Sequence, residues 1–344
     1  VLAFQAGSFV PGDLQCVPKI SVENRTRRVL LQSFSIGCHS LILPAECLAR
    51  QAKNIPDSGT VRLPKLATAT TPVRAEDSLE FDANAGTLDL SGLKQVSGTG
   101  RAVFDAQLSA QLTLGDLAVA APVTMTVSNG AVLRAGGIRD RSGAAASSSI
   151  TLSTDDVTFD IAGNLELGTD IALTATKPGT HLSIGRNFTH RLADETSLTL
   201  ESAIVTFDGT DPQYLEAAGT DSGTARPAAA NFGIGQVVVG TAAQPTTVVV
   251  QDLLDSGNRG TGSEALYLLG LDPATNEHPE GLRIEPGSTL SLGCVDVYAF
   301  PDAHAATGQR LMDLFPAGVY RIPYDRGFLA LGPDSDGDGI PDCR

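Results

Sequence analysis

The feature of this sequence that most constrains its fold is a short phrase that occurs twice between residues 149 and 208. The first copy consists of Ile150–Leu152 and Val157–Asp160, and the second consists of Leu198–Leu200 and Val205–Asp208, so each matching position is 48 residues apart. Apolar and polar residues alternate within each copy, which is typical of a β-strand with one buried face. A fixed period of strands separated by Gly, Asn and Asp turns predicts a solenoid, in which each repeat covers the apolar face of its neighbour.

A second phrase supports the solenoid and predicts how its coils turn. It occurs at Leu112–Leu117, Leu165–Ile171 and Leu182–Phe188, with a looser copy at Leu290–Gly293. We interpret it as a strand, a glycine that turns the chain at positive φ, and an apolar residue that points back inward. Because the spacing between copies is irregular, we expect coils with loops of different lengths.

Short strands at intervals of 8 to 12 residues are also compatible with an array of β-sandwiches, and this alternative stays open. The strands between Gly and Asn turns are only about three to five residues long, which favours the solenoid, since sandwich strands are usually longer. We therefore predict an all-β protein built as a parallel β-helix. Parallel stacking leaves open sheet edges only at its two ends, which must be capped.

The extent of the apolar–polar alternation divides the chain into four parts. Residues 1–75 do not share the alternation, and we predict that they form an N-terminal region or cap. We predict the β-solenoid over residues 76–300, a C-terminal cap over residues 301–333 and a truncated calcium-motif linker over residues 334–344. In the N-terminal region a basic stretch, Arg25–Arg28, precedes a largely apolar one, Val29–Ala45. This order resembles a secretory signal, and a pair of strands in a cap is the alternative. We expect a short helix or cap within residues 302–315, ended by Pro316.

Composition excludes some classes of partner. The 344 residues carry a formal net charge of −15, and such a surface repels nucleic acid and anionic lipid. No stretch of 18 uncharged apolar residues occurs, so the sequence predicts no membrane span. The five cysteines are Cys16, Cys38, Cys47, Cys294 and Cys343. They form no CxxC motif; Cys38 and Cys47 could form a disulfide in an oxidising compartment, but their spacing does not establish it.

The sharpest motif for chemistry lies at the end of the chain, where Asp334-Ser-Asp-Gly-Asp-Gly-Ile-Pro-Asp342 places carboxylates at alternate positions. Hard oxygen ligands at this spacing suit Ca²⁺. The motif closely resembles the thrombospondin type 3 repeat, and the resemblance implies that Asp334, Asp336, Asp338 and Asp342 are ligands and that Ile340 gives its carbonyl oxygen. That pattern has a further acidic residue just beyond, whereas this chain ends at Arg344. We therefore expect an incomplete calcium site here and a protein that continues past Arg344.

Residues 150–344 resemble a segment of large secreted bacterial β-solenoid proteins. The stretches that carry the resemblance are Phe232–Gly235, Gln244–Val248, Asn258–Gly260, Glu264–Tyr267, Leu282–Leu290, Val297–Ala299 and Leu314–Phe328. The resemblance implies a right-handed parallel β-helix on an exported protein. It brings no catalytic residue with it.

Other candidate site residues have weaker signals. Basic side chains are concentrated at His181, Arg186, His190 and Arg191. Parallel β-helices that cleave acidic polysaccharides use basic groups beside Ca²⁺-binding carboxylates, so a lyase is conceivable, although turn residues on a solvated face are the simpler interpretation. The carboxylate pairs Asp155–Asp156 and Asp194–Glu195 are predicted in turns, and Asn258–Gly260 with Glu264 could line a site in a loop.

These observations favour an exported structural or adhesive protein without catalysis, located outside the cell or at its surface. Its elongated β-solenoid would contact an unidentified surface or matrix partner, with polysaccharide among the candidates. The alternative is a polysaccharide-acting enzyme of the pectate-lyase type. A carbohydrate-binding surface is a third hypothesis, but the chain has no Trp for stacking on sugar rings.

Overall fold

The computed structural model describes residues 59–140, 148–210, 212–229, 231–259, 262–293 and 295–332. The five cysteines and the motif Asp334–Asp342 lie outside these residues, so the predicted thiol pairing and the predicted calcium ligands are not among the features described below.

The described chain is almost entirely short β-strands joined by turns. The first group is β1 (Thr60–Arg62), β2 (Thr68–Thr70), β3 (Ser78–Asn84), β4 (Thr87–Leu90), β5 (Gln95–Ser97), β6 (Arg101–Gln107), β7 (Gln111–Ala120), β8 (Val123–Val127) and β9 (Val132–Asp140). The second group is β10 (Ser148–Leu152), β11 (Thr158–Ile161), β12 (Leu165–Leu167), β13 (Ile171–Ala175), β14 (Thr180–Ile184), β15 (Phe188–His190), the 3₁₀ helix η1 (Glu195–Ser197), β16 (Leu198–Phe207) and β17 (Gln213–Glu216). The third group is β18 (Ile234–Val239), β19 (Thr247–Gln251), β20 (Ala265–Leu268), β21 (Leu282–Ile284), β22 (Thr289–Ser291), β23 (Asp296–Ala299), β24 (Gln309–Arg310), the 3₁₀ helix η2 (Leu311–Leu314), β25 (Arg321–Tyr324) and β26 (Gly327–Ala330).

These strands stack in parallel into three ladders, which we call sheets 1, 2 and 3. Sheet 1 runs through β1, β4, the first part of β7, the first part of β9, β11, β14, the second part of β16, the second part of β18 and β21. Sheet 2 runs through β2, β5, the second parts of β7 and β9, β12, β15, β17, β19, β22 and β26. Sheet 3 runs through β3, β6, β8, β10, β13, the first parts of β16 and β18, β20 and β23. The predicted all-β solenoid with parallel coils is confirmed, and the β-sandwich alternative is wrong.

The repeated phrase spans two coils of this stack. Ile150 pairs with Leu173, and Leu173 pairs in turn with Leu198, so the 48-residue offset contains one intervening coil. Phe159 pairs with Leu182, which pairs with Val205 instead of Phe207. The second half of the phrase is therefore shifted by two residues. Because side chains alternate with period 2, such a shift keeps every residue on its original face of the sheet.

The apolar positions of the strands form the core inside the coils. Along sheet 1 the inward residues are stacked and buried, and they include Leu88, Leu112, Leu133, Phe159, Leu182, Val205, Val237 and Leu282. On sheet 3 the rings of Phe81 and Phe104 stack with centroids 5.0 Å apart. Each coil covers the apolar face of the next, which is how a solenoid buries a continuous core.

The glycines of the second phrase have a different role from the predicted one. We expected positive φ after each strand, yet among Gly115, Gly168, Gly185 and Gly293 only Gly293 has it, at +58°. Gly115 and Gly185 lie at the corner between sheets 1 and 2, where a Cβ atom would meet the backbone of the preceding coil. At Gly185 that atom would strike the carbonyl oxygen of Ala162. Close backbone approach, and not the turn conformation, requires glycine at these two positions.

The two ends of the described stack differ. At the start, β1 and β2 lie within the region that we assigned to residues 1–75, and they already pair in parallel with β4 and β5. At the end, β24 pairs antiparallel with β23, and β25 forms an antiparallel hairpin with β26. The short helix expected within residues 302–315 is the single 3₁₀ turn η2, which ends before Pro316.

An external loop, residues 219–229, packs against the outer face of sheet 3. Beneath it lies a second apolar cluster formed by Ala265, Tyr267, Leu269, Tyr298 and Phe300. The guanidinium of Arg226 lies 4.5 Å from the centre of the Phe300 ring and donates to the carbonyl oxygens of Leu269, Ala305 and Asp302 at 2.6–2.8 Å. These contacts bury both faces of β20.

Candidate functional site

The corner between sheets 1 and 2 carries an open groove of about 370 Å³, which we call the corner groove. It is lined by Asp160, Ala162, Gly185, Arg186, Asp208, Gly209 and Thr210. The groove is a depression in the surface because residues with little or no side chain lie at this corner on successive coils. A Cβ added to Gly185 would strike Ala162, and a Cβ added to Gly209 would strike Gly185. The groove therefore results from the same close packing that requires glycine at this corner.

Two carboxylates and one guanidinium border the corner groove. Asp160 lies on the outer face of sheet 1, and its Oδ2 is 3.4 Å from Nε of Arg134 on the preceding coil. Asp208 follows β16, and its Oδ2 accepts a 2.6 Å hydrogen bond from the Ser183 hydroxyl. Arg186 is exposed on the intervening coil. Because neighbouring strands are about 4.8 Å apart, the two aspartates are separated by roughly 10 Å along the stack.

This arrangement suits a ligand with hydroxyl groups and negative charge. The carboxylates can accept hydrogen bonds from hydroxyls, and the guanidinium can bind a carboxylate or phosphate with two donors. A glycosidase-type reaction would need the two carboxyl groups on either side of one bond and about 5–9.5 Å from each other. The separation of roughly 10 Å along the stack lies outside that range. Sequence analysis had not singled out Asp160 or Asp208 as site residues, although the repeated phrase ends on both.

The basic residues predicted from sequence do not form one site. His181 points outward from sheet 1 and Arg191 is exposed, whereas His190 is directed into the core. Its imidazole lies between Phe188 and Phe232, with ring centroids 5.8 Å away on each side. Burial lowers the pKa of His190 to about 4. A neutral, enclosed imidazole cannot act on a ligand in the groove.

The predicted carboxylate pairs have local structural roles. Asp194 is the N-cap of η1 and accepts from the Thr196 backbone N–H at 2.9 Å. Glu195 accepts from the backbone N–H of Asn231 at 2.9 Å and so ties η1 to the segment that leads into β18. Asp156 has a φ of +57°, in the turn before β11. All three positions agree with turn residues.

The predicted loop site around Asn258, Arg259 and Glu264 is part of a larger polar cluster at the corner between sheets 2 and 3. We call this cluster, Glu216, Asp252, Ser256, Asn258, Arg259 and Glu264, the acidic corner. The Arg259 guanidinium binds the Asp252 carboxylate at 2.8–3.0 Å through Nε and Nη2. Sequence analysis missed Glu216 and Asp252, which only the stacking of β17 on β19 brings together.

Glu216 and Glu264 are almost fully enclosed in the acidic corner. Glu216 accepts from the backbone N–H groups of Leu253 and Leu254, at 2.7 and 2.6 Å, and from the Gln251 side chain at 2.8 Å. Glu264 Oε1 accepts from the backbone N–H groups of Ser256 and Asn258, at 2.9 and 3.1 Å. Burial raises the pKa of both carboxyls, against the effect of these donors.

Within the described ranges, no group of three or more His, Cys, Asp or Glu residues is arranged to hold a metal ion. The predicted ligands Asp334, Asp336, Asp338, Ile340 and Asp342 lie outside those ranges. No helix in the described part of the chain is long and apolar enough to cross a membrane.

Comparison with known proteins adds no relative: no family model, no curated protein and no solved structure matches this chain.

Proposed function

We propose that this protein is an exported, non-catalytic scaffold that binds an extended partner along the outer faces of its solenoid. The observation that carries the proposal is a threonine ladder on the outer face of sheet 3. Thr126, Thr151, Thr174 and Thr199 pair with one another on consecutive coils, and each is partly exposed. Strand stacking repeats their hydroxyls about every 4.8 Å, which suits a polymer laid along the stack better than a compact small molecule.

The same ladder supports a structural or adhesive role outside the cell or at its surface. A line of short hydroxyl side chains costs little conformational entropy to order and offers many equivalent, individually weak contacts. Polysaccharide is a chemically suitable partner because its hydroxyls can both donate to and accept from threonine.

We also expect right-handed coils, because crossovers between parallel strands of one sheet are right-handed in about 98% of cases.

A second candidate function is action on an anionic glycan at the corner groove. It is favoured by the position of Arg186 between Asp160 and Asp208 on successive coils. Here Arg186 would bind an acidic group of the sugar, and one of the two aspartates would act on the neighbouring linkage, since roughly 10 Å between them is too long for a glycosidase pair.

One experiment separates the two functions. The protein is incubated with a panel of neutral and acidic polysaccharides, and both retention on the polymer and release of shorter chains are measured. Retention on a polymer without cleavage supports the scaffold. The double variant Thr126→Lys and Thr174→Lys should then lose retention, and Thr113→Lys on sheet 1 should keep it. Cleavage that Asp160→Asn or Asp208→Asn abolishes would instead assign an enzyme. Neither retention nor cleavage on any polymer contradicts both.

We further propose that the C-terminal motif binds Ca²⁺ through Asp334, Asp336, Asp338, Asp342 and the carbonyl of Ile340. Isothermal titration with CaCl₂ tests this, with Asp336→Asn and Asp338→Asn together as the control. Equal heats from the parent protein and the double variant would contradict it.

A further inference from the structure

The acidic corner contains more negative groups than its positive charge can balance. The carboxyls of Asp252 and Glu264 act on the guanidinium of Arg259, and Glu216 lies close enough to Asp252 to feel its charge. Among the described residues that form the acidic corner, Arg259 is the only cation. Arg259 also lies 3.6 Å from the more exposed Asp255. An unbalanced buried charge is strongly unfavourable, so protonation of one enclosed carboxyl would stabilise the corner.

The hydrogen-bond donors identify which carboxyl that is. Both oxygens of Glu216 accept hydrogen bonds, and both oxygens of Asp252 accept from Arg259. Asp252 Oδ2 also accepts from the backbone N–H of Glu264 at 3.0 Å. Glu264 Oε2 differs from these four oxygens because it is buried and has no hydrogen-bond partner. An enclosed carboxylate oxygen without a donor loses its hydration and gains nothing in return.

We propose that Glu264 carries a proton on Oε2 and donates it to the carboxylate of Asp252, so that an acid–carboxylate pair holds the acidic corner closed. Asp252 lies beside Glu264, since its Oδ2 accepts from the Glu264 backbone N–H at 3.0 Å. The proton turns the unpartnered acceptor into a donor and reduces the negative charge by one. Oε1 remains an acceptor for Ser256 and Asn258.

The charged groups on the neighbouring elements leave this assignment unchanged. Asp296, on the adjacent strand β23, is bound by Arg310 at 2.7–2.9 Å. Asp221, in the external loop, accepts from the Tyr298 hydroxyl at 2.7 Å. Burial raises the pKa of Glu264, and the nearby negative charge of Asp252 adds to the rise. Both effects favour the protonated form.

Release of this proton would open the corner as the pH rises. When the corner opens, Glu264 enters water and its pKa returns to the ordinary value of about 4.5. Between that value and the raised pKa of the closed state, opening releases one proton. The opening constant therefore rises up to tenfold per pH unit, and it levels off above the closed-state pKa.

Hydrogen–deuterium exchange of the complete chain measures this opening in peptides that cover residues 252–264. After correction for intrinsic exchange rates, we expect protection of these peptides in the parent protein to fall by up to tenfold per pH unit above pH 5. Glu264→Gln keeps an acceptor at Oε1 and places an amide donor toward Asp252, so its protection should not depend on pH. Peptides covering β13 should show no loss of protection as the pH rises, in either protein.

Glu216→Ala is the control in the same corner. It removes the acceptor of the backbone N–H groups of Leu253 and Leu254, so protection should be lower at every pH. A parent protein without a pH slope, or a Glu264→Gln variant with the parent's slope, would overturn the proposal. The proposal would also be overturned if Ca²⁺ restored protection at high pH in the parent but not in the variant. Such a result would mean that a cation, and not a proton, lies between Glu264 Oε2 and the Ser256 hydroxyl, which is also buried without a partner.

Discussion

His190 is a titratable side chain in a position that the strand pattern reserves for apolar residues. It ends β15 on the inward face, next to the rings of Phe188 and Phe232, and it is 2% exposed. In an unfolded chain an imidazole has a pKa of about 6.5, whereas burial lowers the pKa of His190 to about 4. The unfolded state therefore takes up a proton first as the pH falls, and the stability present above pH 6.5 is progressively lost.

The resulting prediction is a loss of about 2 kcal/mol in the free energy of unfolding between pH 7 and pH 5 from this residue. Urea unfolding at the two pH values measures it. His190→Leu should remove most of this pH dependence, since the apolar side chain cannot titrate, whereas His181→Gln on the outer face should leave it intact. An unchanged pH dependence in His190→Leu would assign the effect to other groups.

At the scale of the coil, the corner glycines set how closely successive coils approach. Gly185→Ala would place a Cβ against the backbone carbonyl of Ala162, which cannot move without shifting its own coil. We expect a destabilisation of about 2 kcal/mol, typical of overpacking. The urea midpoint measures it.

Gly262→Ala is the control for this substitution. Gly262 has open space around its Cα and no positive φ. Its substitution should change the urea midpoint little. Equal midpoints for the two variants would mean that the corner relaxes freely, which contradicts the close approach seen between Gly185 and Ala162.

The strands and the inward residues could be predicted from sequence, because one alternating phrase determines both. The coil length could not, since a 48-residue match does not show the intervening coil that places Leu173 between Ile150 and Leu198. The acidic corner was only partly predictable for a related reason. Glu264 and Arg259 are close in sequence, but Glu216 joins them through the pairing of β17 with β19, whose register depends on the intervening loops.

Over the whole molecule, stability depends on how the stack ends, because each coil is covered only by its neighbours. At the C-terminal end of sheet 1, the backbone N–H of Ile284 donates to Asp325 Oδ2 at 3.0 Å. Glu285 is held by Arg283, at 3.0 Å, and by Arg326. The turn of the β25–β26 hairpin thus satisfies polar groups at a sheet edge that no further described strand covers.

We therefore predict that Asp325→Gly loosens the last coil without unfolding the rest. Asp325 has a φ of +51°, which glycine tolerates, so the variant removes the acceptor without adding backbone strain. The lost hydrogen bond should reduce the local opening free energy of β21 by about 1 kcal/mol, seen as faster hydrogen exchange in peptides covering residues 282–290. Asp325→Asn keeps an acceptor and tolerates the same φ, so it should exchange like the parent. Equally faster exchange in peptides covering β13 would show that the solenoid opens as one unit and that its end is not a separate zone of low stability.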